Sequence, residues 1–203
     1  MTTLEGGYAK YERFFTEYFS PQPMFTAGDA KRYLGRLGAS GEYSRLLLHN
    51  LVVGRRLTRI KKGFYTFSWN EAVTGFAFRP FYYGMEYALS IRKIWTQQTN
   101  PVIITTSKAN AGVRDVMNTR AVVRRINPNA FFGFEYLNYS GLFVPVSTPE
   151  KILLDFIYYE LDVDDGTCRS LARASNSGIL NEFASRLGKR YLSQATEFLN
   201  EFG

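Results

Sequence analysis

Five cations, Arg55, Arg56, Arg59, Lys61 and Lys62, stand within eight positions of the stretch GRRLTRIKKGFYTF, residues 54–67. Guanidinium and ammonium groups at that density suit phosphate oxygens, which accept charge-assisted hydrogen bonds from them. The competing reading is a solvated charged face without a ligand. Other chemistries find less material. Cys168 is the only cysteine and His49 the only histidine, so an intramolecular disulfide and a thiolate-rich zinc site are excluded, and any Ser-His-Asp or Cys-His pair would depend on His49. The chain has no GxxxxGK[ST] phosphate loop, no GxGxxG after a strand and no HExxH. ELDVDDGT, residues 160–167, alternates acids before a glycine but lacks the spacing and twelfth-position glutamate of a calcium loop, and is expected to be an acidic loop that ends a helix. Glu135, Glu150, Lys151 and Asp155 could form the acid-plus-lysine cluster of a metal-dependent nuclease, although Glu150 and Lys151 also suit a helix start and Asp155 a polar gap in that helix.

The charge is unevenly distributed. Residues 1–68 carry 11 basic and 5 acidic side chains, and the remaining residues carry 14 and 13, so almost all of the +7 net charge belongs to one third of the chain. A local basic excess of this kind points to a surface for a polyanion. Hydrophobic residues make up 45% and aromatics 16%, ample for one large core or two small ones. No apolar run approaches the ~20 residues that cross a bilayer, and MTTLEGGYAK lacks the order of a signal peptide, so a soluble cytoplasmic protein is expected.

Stepping along the chain, YAKYERFFTEYF places Tyr8, Tyr11, Phe15 and Tyr18 on one helical stripe, expected as core, before Pro21 and Pro23 end it. In TAGDAKRYLGRLG, Thr26 can cap a second helix, Asp29 favours its first turn, Ala30, Leu34 and Leu37 make the buried stripe, and Gly38 stops it. Ser40 can cap a third, GEYSRLLLHNLV, with Tyr43, Leu47, Asn50 and Leu51 near one face and Ser44, Arg45, Leu48 and His49 towards the other. The basic stretch then reads as a hairpin of strands 57–61 and 64–67 turned at Lys62-Gly63. Three short helices followed by a hairpin give a winged helix-turn-helix. If its third helix enters a major groove, the wing's cations meet phosphates beside it.

From Trp69 the pattern changes. RPFYYGMEYALSIRKIW reads as an amphipathic helix with Tyr83, Tyr87, Ala88, Ile91 and Ile94 on one side, and PVIITTS and RAVVRRI read as strands. FEYLNYSGLFVPVS reads as a hairpin around Ser140-Gly141. STPEKILLDFIYYEL is a helix capped by Thr148 with Pro149 first, and it should centre a second core. Two more helices, GILNEFASRLG and RYLSQATEFLNEF, close the chain. The expected fold class is α+β: a winged helix-turn-helix domain over 1–68, then a mixed α/β domain over 69–203 with a small sheet and C-terminal helices.

The stretches FTAGDAKRYLG, LLLHNLVVGRRLTRIKKGFYTF, YYGMEYALSIRKIW, PVIITTS, FFGFEY and VPVSTPEKILLDFIYY, in this order and spacing, resemble the AbiEi-type antitoxins of type IV toxin–antitoxin (abortive infection) operons, over residues 25–159. The most telling pieces are the basic hairpin closing in GFY, the FFGF of residues 131–134 and VSTPEKILLD. The resemblance implies a winged helix that binds double-stranded operator DNA and represses its own operon, and a C-terminal domain that counteracts a cognate nucleotidyltransferase-like toxin. It maps the family's basic wing onto Arg59, Lys61 and Lys62 and its recognition helix onto the segment of Ser44, Arg45 and His49. The aromatic first helix is longer than the family pattern.

The expected DNA-binding set is therefore Ser44, Arg45, His49, Arg55, Arg56, Arg59, Lys61 and Lys62, with no catalytic residue, metal or cofactor. A monomer or weak dimer that can pair on an inverted repeat would suit an operator. A DNA-targeted metal-dependent nuclease and a protein scaffold that no longer binds DNA are the alternatives.

Overall fold

A computed structural model describes the backbone of residues 4–117 and 119–203, with side chains from residue 10 on except at 118. The chain forms two units, Met1–Ala77 with Val116–Thr119, and Phe78–Asp115 with Arg120–Gly203. The boundary read from sequence, after Ser68, falls earlier, ahead of the 3-10 segment Glu71–Phe78 whose Ala72, Val73 and Phe76 are buried.

The first unit is a winged helix-turn-helix. In chain order it runs α1 (Leu4–Phe19), β1 (Phe25–Thr26), α2 (Ala27–Arg36), α3 (Gly41–Val53), β2 (Thr58–Lys61) and β3 (Phe64–Thr66). The sheet order is β1-β3-β2, antiparallel throughout. Gly63, at φ 82°, turns the β2–β3 wing, a backbone region that favours glycine. Phe15, Phe19, Phe25, Ala30, Leu34, Leu47, Leu48, Leu51 and Leu57 form the core.

Two expected core positions differ. Tyr18 is 51% exposed and stacks on Tyr33, with ring centroids 4.2 Å apart, while the next residue, Phe19, turns inward. A pure phenyl ring is cheaper to bury than a phenol lacking a partner for its hydroxyl. Leu37 is the C-cap of α2 rather than part of its stripe, and is exposed. Tyr8 of the expected stripe has a side chain outside the described residues.

The start of α2 is a reciprocal cap. The Thr26 hydroxyl accepts from the Asp29 amide at 3.1 Å, and the Asp29 carboxylate accepts from the Thr26 amide at 2.8 Å and from its hydroxyl at 2.7 Å. The Thr26 hydroxyl, above all, holds the Asp29 carboxyl below its ordinary value. Thr26→Ala should cost about 1 kcal/mol of stability. Because the folded carboxyl is depressed, the part of this that needs charge is complete above the ordinary aspartate range and fades as pH falls through it. Urea unfolding at pH 7 and pH 3 checks both: the gap between wild type and variant should narrow at pH 3.

The second unit carries a six-stranded mixed sheet of β4 (Phe81–Tyr83), β5 (Val102–Thr105), β6 (Gly112–Val116), β7 (Thr119–Arg125), β8 (Phe134–Tyr139) and β9 (Leu142–Ser147), in the order β6-β7-β5-β4-β9-β8. β4 runs antiparallel to β5 and parallel to β9, and β5 parallel to β7. All four residues of β5 are buried, as a strand covered on both faces requires. The β8–β9 hairpin turns at Ser140-Gly141, both at positive φ (51° and 81°), the geometry of a tight two-residue hairpin.

The stretch RPFYYGMEYALSIRKIW is not a single amphipathic helix. Phe81, Tyr82 and Tyr83 form a buried strand between β5 and β9, and only Met85–Ile91 is helical (α4). The chain turns at Met85, φ 55°, and Gly84 before it packs closely on β5: a Cβ there would stand 2.4 Å from Cδ1 of Ile104. α5 (Pro149–Tyr158), capped by Thr148, packs on α4, β9 and the C-terminal helices α6 (Asp165–Ala174), α7 (Ser177–Leu187) and α8 (Lys189–Phe202). The acidic stretch 160–167 is only partly a loop. Asp164 caps α6, accepting from the Thr167 amide at 3.0 Å, so its acids begin a helix as well as follow one. Among the described residues no helix is long and apolar enough to cross a membrane.

Candidate nucleic-acid interface

α3 exists because Ser40 caps it, accepting from the Tyr43 amide at 3.1 Å, and because Leu47, Leu48 and Leu51 have the core to enter. Ser44 joins that inner stripe. It is 2% exposed and its hydroxyl donates to the Ser40 carbonyl at 3.1 Å, so the structure removes it from any DNA-facing set. A small hydroxyl that bonds back one turn is easily accommodated inside a helix contact. The outer face consists of Glu42, Arg45, Leu46, His49, Asn50 and Val53, all exposed. Arg45 and His49 are thus where the sequence placed them, but Leu48 and Asn50 are exchanged: Leu48, expected beside them, is 5% exposed and in the core, while Asn50, expected on the inner face, is exposed; Leu46 and Val53 were missed. The run Leu46-Leu47-Leu48 hid the true stripe, since nothing in three consecutive leucines tells that Leu47 and Leu48 face in and Leu46 out.

The helix ends in Gly54, and Arg55 then takes a left-handed backbone, φ 56°, that turns the chain into the wing. Arg55, Arg59 and Lys62 are exposed, and with Arg45 they carry no ion pair among the described residues. Arg56 differs: it pairs with Glu12 of α1. An arginine with a carboxylate partner offers a phosphate less uncompensated charge, which sets Arg56 apart from the unpaired cations, although an exposed pair of this kind is worth no more than about 1 kcal/mol. Lys61 is intermediate. It is half-buried, its ammonium lies 4.3 Å from the Phe64 ring centroid, and desolvation lowers its pKa. Arg45, Arg55, Arg59 and Lys62 are therefore available without breaking an ion pair among the described residues.

The alternative nuclease cluster does not assemble into an open site. Lys151 and Asp155 pair with each other at 0% exposure, and the Tyr82 hydroxyl, from β4, bonds both Asp155 oxygens at 3.1 Å. Glu150 accepts from the Asn176 amide at 2.7 Å, and Glu135 pairs with Arg92 at 2.8 Å. Burial pushes the Asp155 carboxyl above its ordinary value, with Lys151 pulling it back. Among the described residues no three His, Cys, Asp or Glu side chains stand where they could hold a metal ion.

The motifs FFGF and VSTPEKILLD meet in this second core. A Cβ on Gly133 would lie 2.9 Å from the Lys151 Cβ and 2.8 Å from Phe183, its φ is 73°, and its carbonyl accepts from the Thr148 amide at 2.9 Å. Phe131 and Phe134 pack on Tyr82 at 5.3 and 5.1 Å. Both motifs build the fold around α5 rather than a reactive centre. The chain matches no protein-family model and no curated protein.

Proposed function

We propose that this protein is a non-enzymatic, DNA-binding repressor and antitoxin of the cytoplasm. Its winged helix grips operator DNA of a toxin–antitoxin operon, and its second unit counteracts a nucleotidyltransferase-like toxin. One observation carries the DNA-binding reading: four exposed cations without ion-pair partners among the described residues, Arg45, Arg55, Arg59 and Lys62, lie on consecutive parts of the chain, the outer face of α3, the turn that follows it and the wing. In this motif the second helix of the helix-turn-helix enters the major groove. Arg45 and His49 then face base edges while Arg55, Arg59 and Lys62 meet phosphates. The antitoxin half rests on the resemblance described above and on the near-neutral charge of the residues after 68.

Arg45→Ala tests this reading. It should cost about 1–3 kcal/mol on the preferred duplex and little on random DNA, because an arginine at a base edge carries sequence information and a phosphate contact does not. In cells, an operon reporter should be derepressed while relief of toxicity by the same variant persists, since the second unit has its own core. Equal loss on specific and random duplexes would remove α3 from base reading. Loss of toxin relief with intact repression would reverse the division of labour.

A further inference from the structure

We infer that Leu46 reads the C5-methyl group of a thymine in the major groove, next to the base read by Arg45; this rests on the DNA-binding reading above. With Ser44, Leu47, Leu48 and Leu51 turned inward, the opposite stripe of α3 is Glu42, Arg45, Leu46, His49, Asn50 and Val53. Leu46 is 56% exposed and Val53 68%. A single exposed leucine is ordinary on any protein surface. What sets Leu46 apart is its place near the middle of the outer face, one turn from Glu42, His49 and Asn50, on the helix that the fold offers to a groove. Polar side chains there have base-edge partners. A leucine pressed onto the same edges would desolvate them without replacing their hydrogen bonds, unless it meets the one apolar group the major groove displays, the thymine methyl.

The position within the helix selects Leu46 over Val53. Residues in the N-terminal part of a recognition helix meet base edges, whereas the far end approaches the backbone. Val53 is the last residue of α3, about 10 Å farther along the axis than Leu46, or roughly three base steps away. Glu42, the one acid on this face, can accept from a cytosine amino group and so does not oppose base reading.

The test uses the full-length protein and a duplex selected by its affinity from a random pool. Each thymine is replaced in turn by uracil, which differs only in lacking the methyl. For wild type, at least one replacement should weaken binding about fourfold, the effect of one buried carbon. Leu46→Ala, an exposed position whose truncation leaves the core intact, should bind thymine and uracil duplexes equally. Uracil tolerated at every position by wild type would overturn the inference while leaving DNA binding standing. So would a thymine preference that survives Leu46→Ala. Failure to enrich any duplex would overturn this inference together with the operator reading, and absence of all duplex binding would overturn the DNA-binding reading itself.

Discussion

Lys151→Met should destabilise the second unit by about 3–5 kcal/mol, the range for a buried charge that loses its partner. Lys151 and Asp155 are one helical turn apart on α5, both fully buried, and the lysine ammonium lies 5.6 Å from the Tyr82 ring centroid and 5.4 Å from that of Phe132. Without the lysine, the carboxyl keeps the Tyr82 hydroxyl, which bonds both its oxygens at 3.1 Å. It must then stay charged in an apolar surround or take up a proton. Burial already raises its pKa, and losing Lys151 removes the largest opposing influence. Its folded pKa then stands farther above the unfolded value, so the penalty grows as pH rises from about 4 towards neutrality. Lys151→Met combined with Asp155→Leu removes both charges and should recover most of the loss. Urea unfolding gives the magnitude, and hydrogen exchange at α5 separates this unit from the first, since two units need not unfold together. A loss under about 1 kcal/mol, or a double variant less stable than the single, would show that the pair does not organise this core.

Neutralising the wing should have an effect of similar size on DNA. The variant Arg55→Gln, Arg59→Gln, Lys62→Gln removes three exposed cations without touching the Arg56–Glu12 pair or the core. Glutamine keeps most of each side chain's length, and at Arg55 it exchanges one non-glycine residue for another at positive φ. If each cation releases about 0.9 counterion equivalents from DNA, the log–log salt slope should flatten by about 2.7, and affinity at 0.1 M salt should fall by two to three orders of magnitude. The loss should be the same for operator and random duplex, because phosphates carry no base code. A comparable loss from Arg56→Gln alone would instead make Arg56 the phosphate clamp.

The parts of the fold legible in the sequence are those whose chemistry is local. Thr26, Ser40 and Thr148 cap helices by bonding amides three residues on, and Gly63 and Ser140-Gly141 turn hairpins by taking positive φ. What remained hidden was decided at a distance. Phe81-Tyr82-Tyr83 suits a helix or a strand, and its buried places beside β5 and β9 settle it. Asp164 could end α5 or begin α6, and only its bond to Thr167 distinguishes the two. In the candidate site the charge run itself was legible, but the fate of each cation was not. Arg56 is taken by Glu12, forty-four positions away, and Lys61 by a neighbouring ring. Likewise, three consecutive leucines concealed which side of α3 faces out.

The most direct test of the central claim is the affinity of the unmodified, full-length protein for duplex DNA measured from 50 to 400 mM salt. If Arg55, Arg59 and Lys62 each meet a phosphate, log affinity should fall against log salt with a slope of about −3, steeper if further cations join. A slope near zero, or no measurable duplex binding at 50 mM salt, would contradict the account.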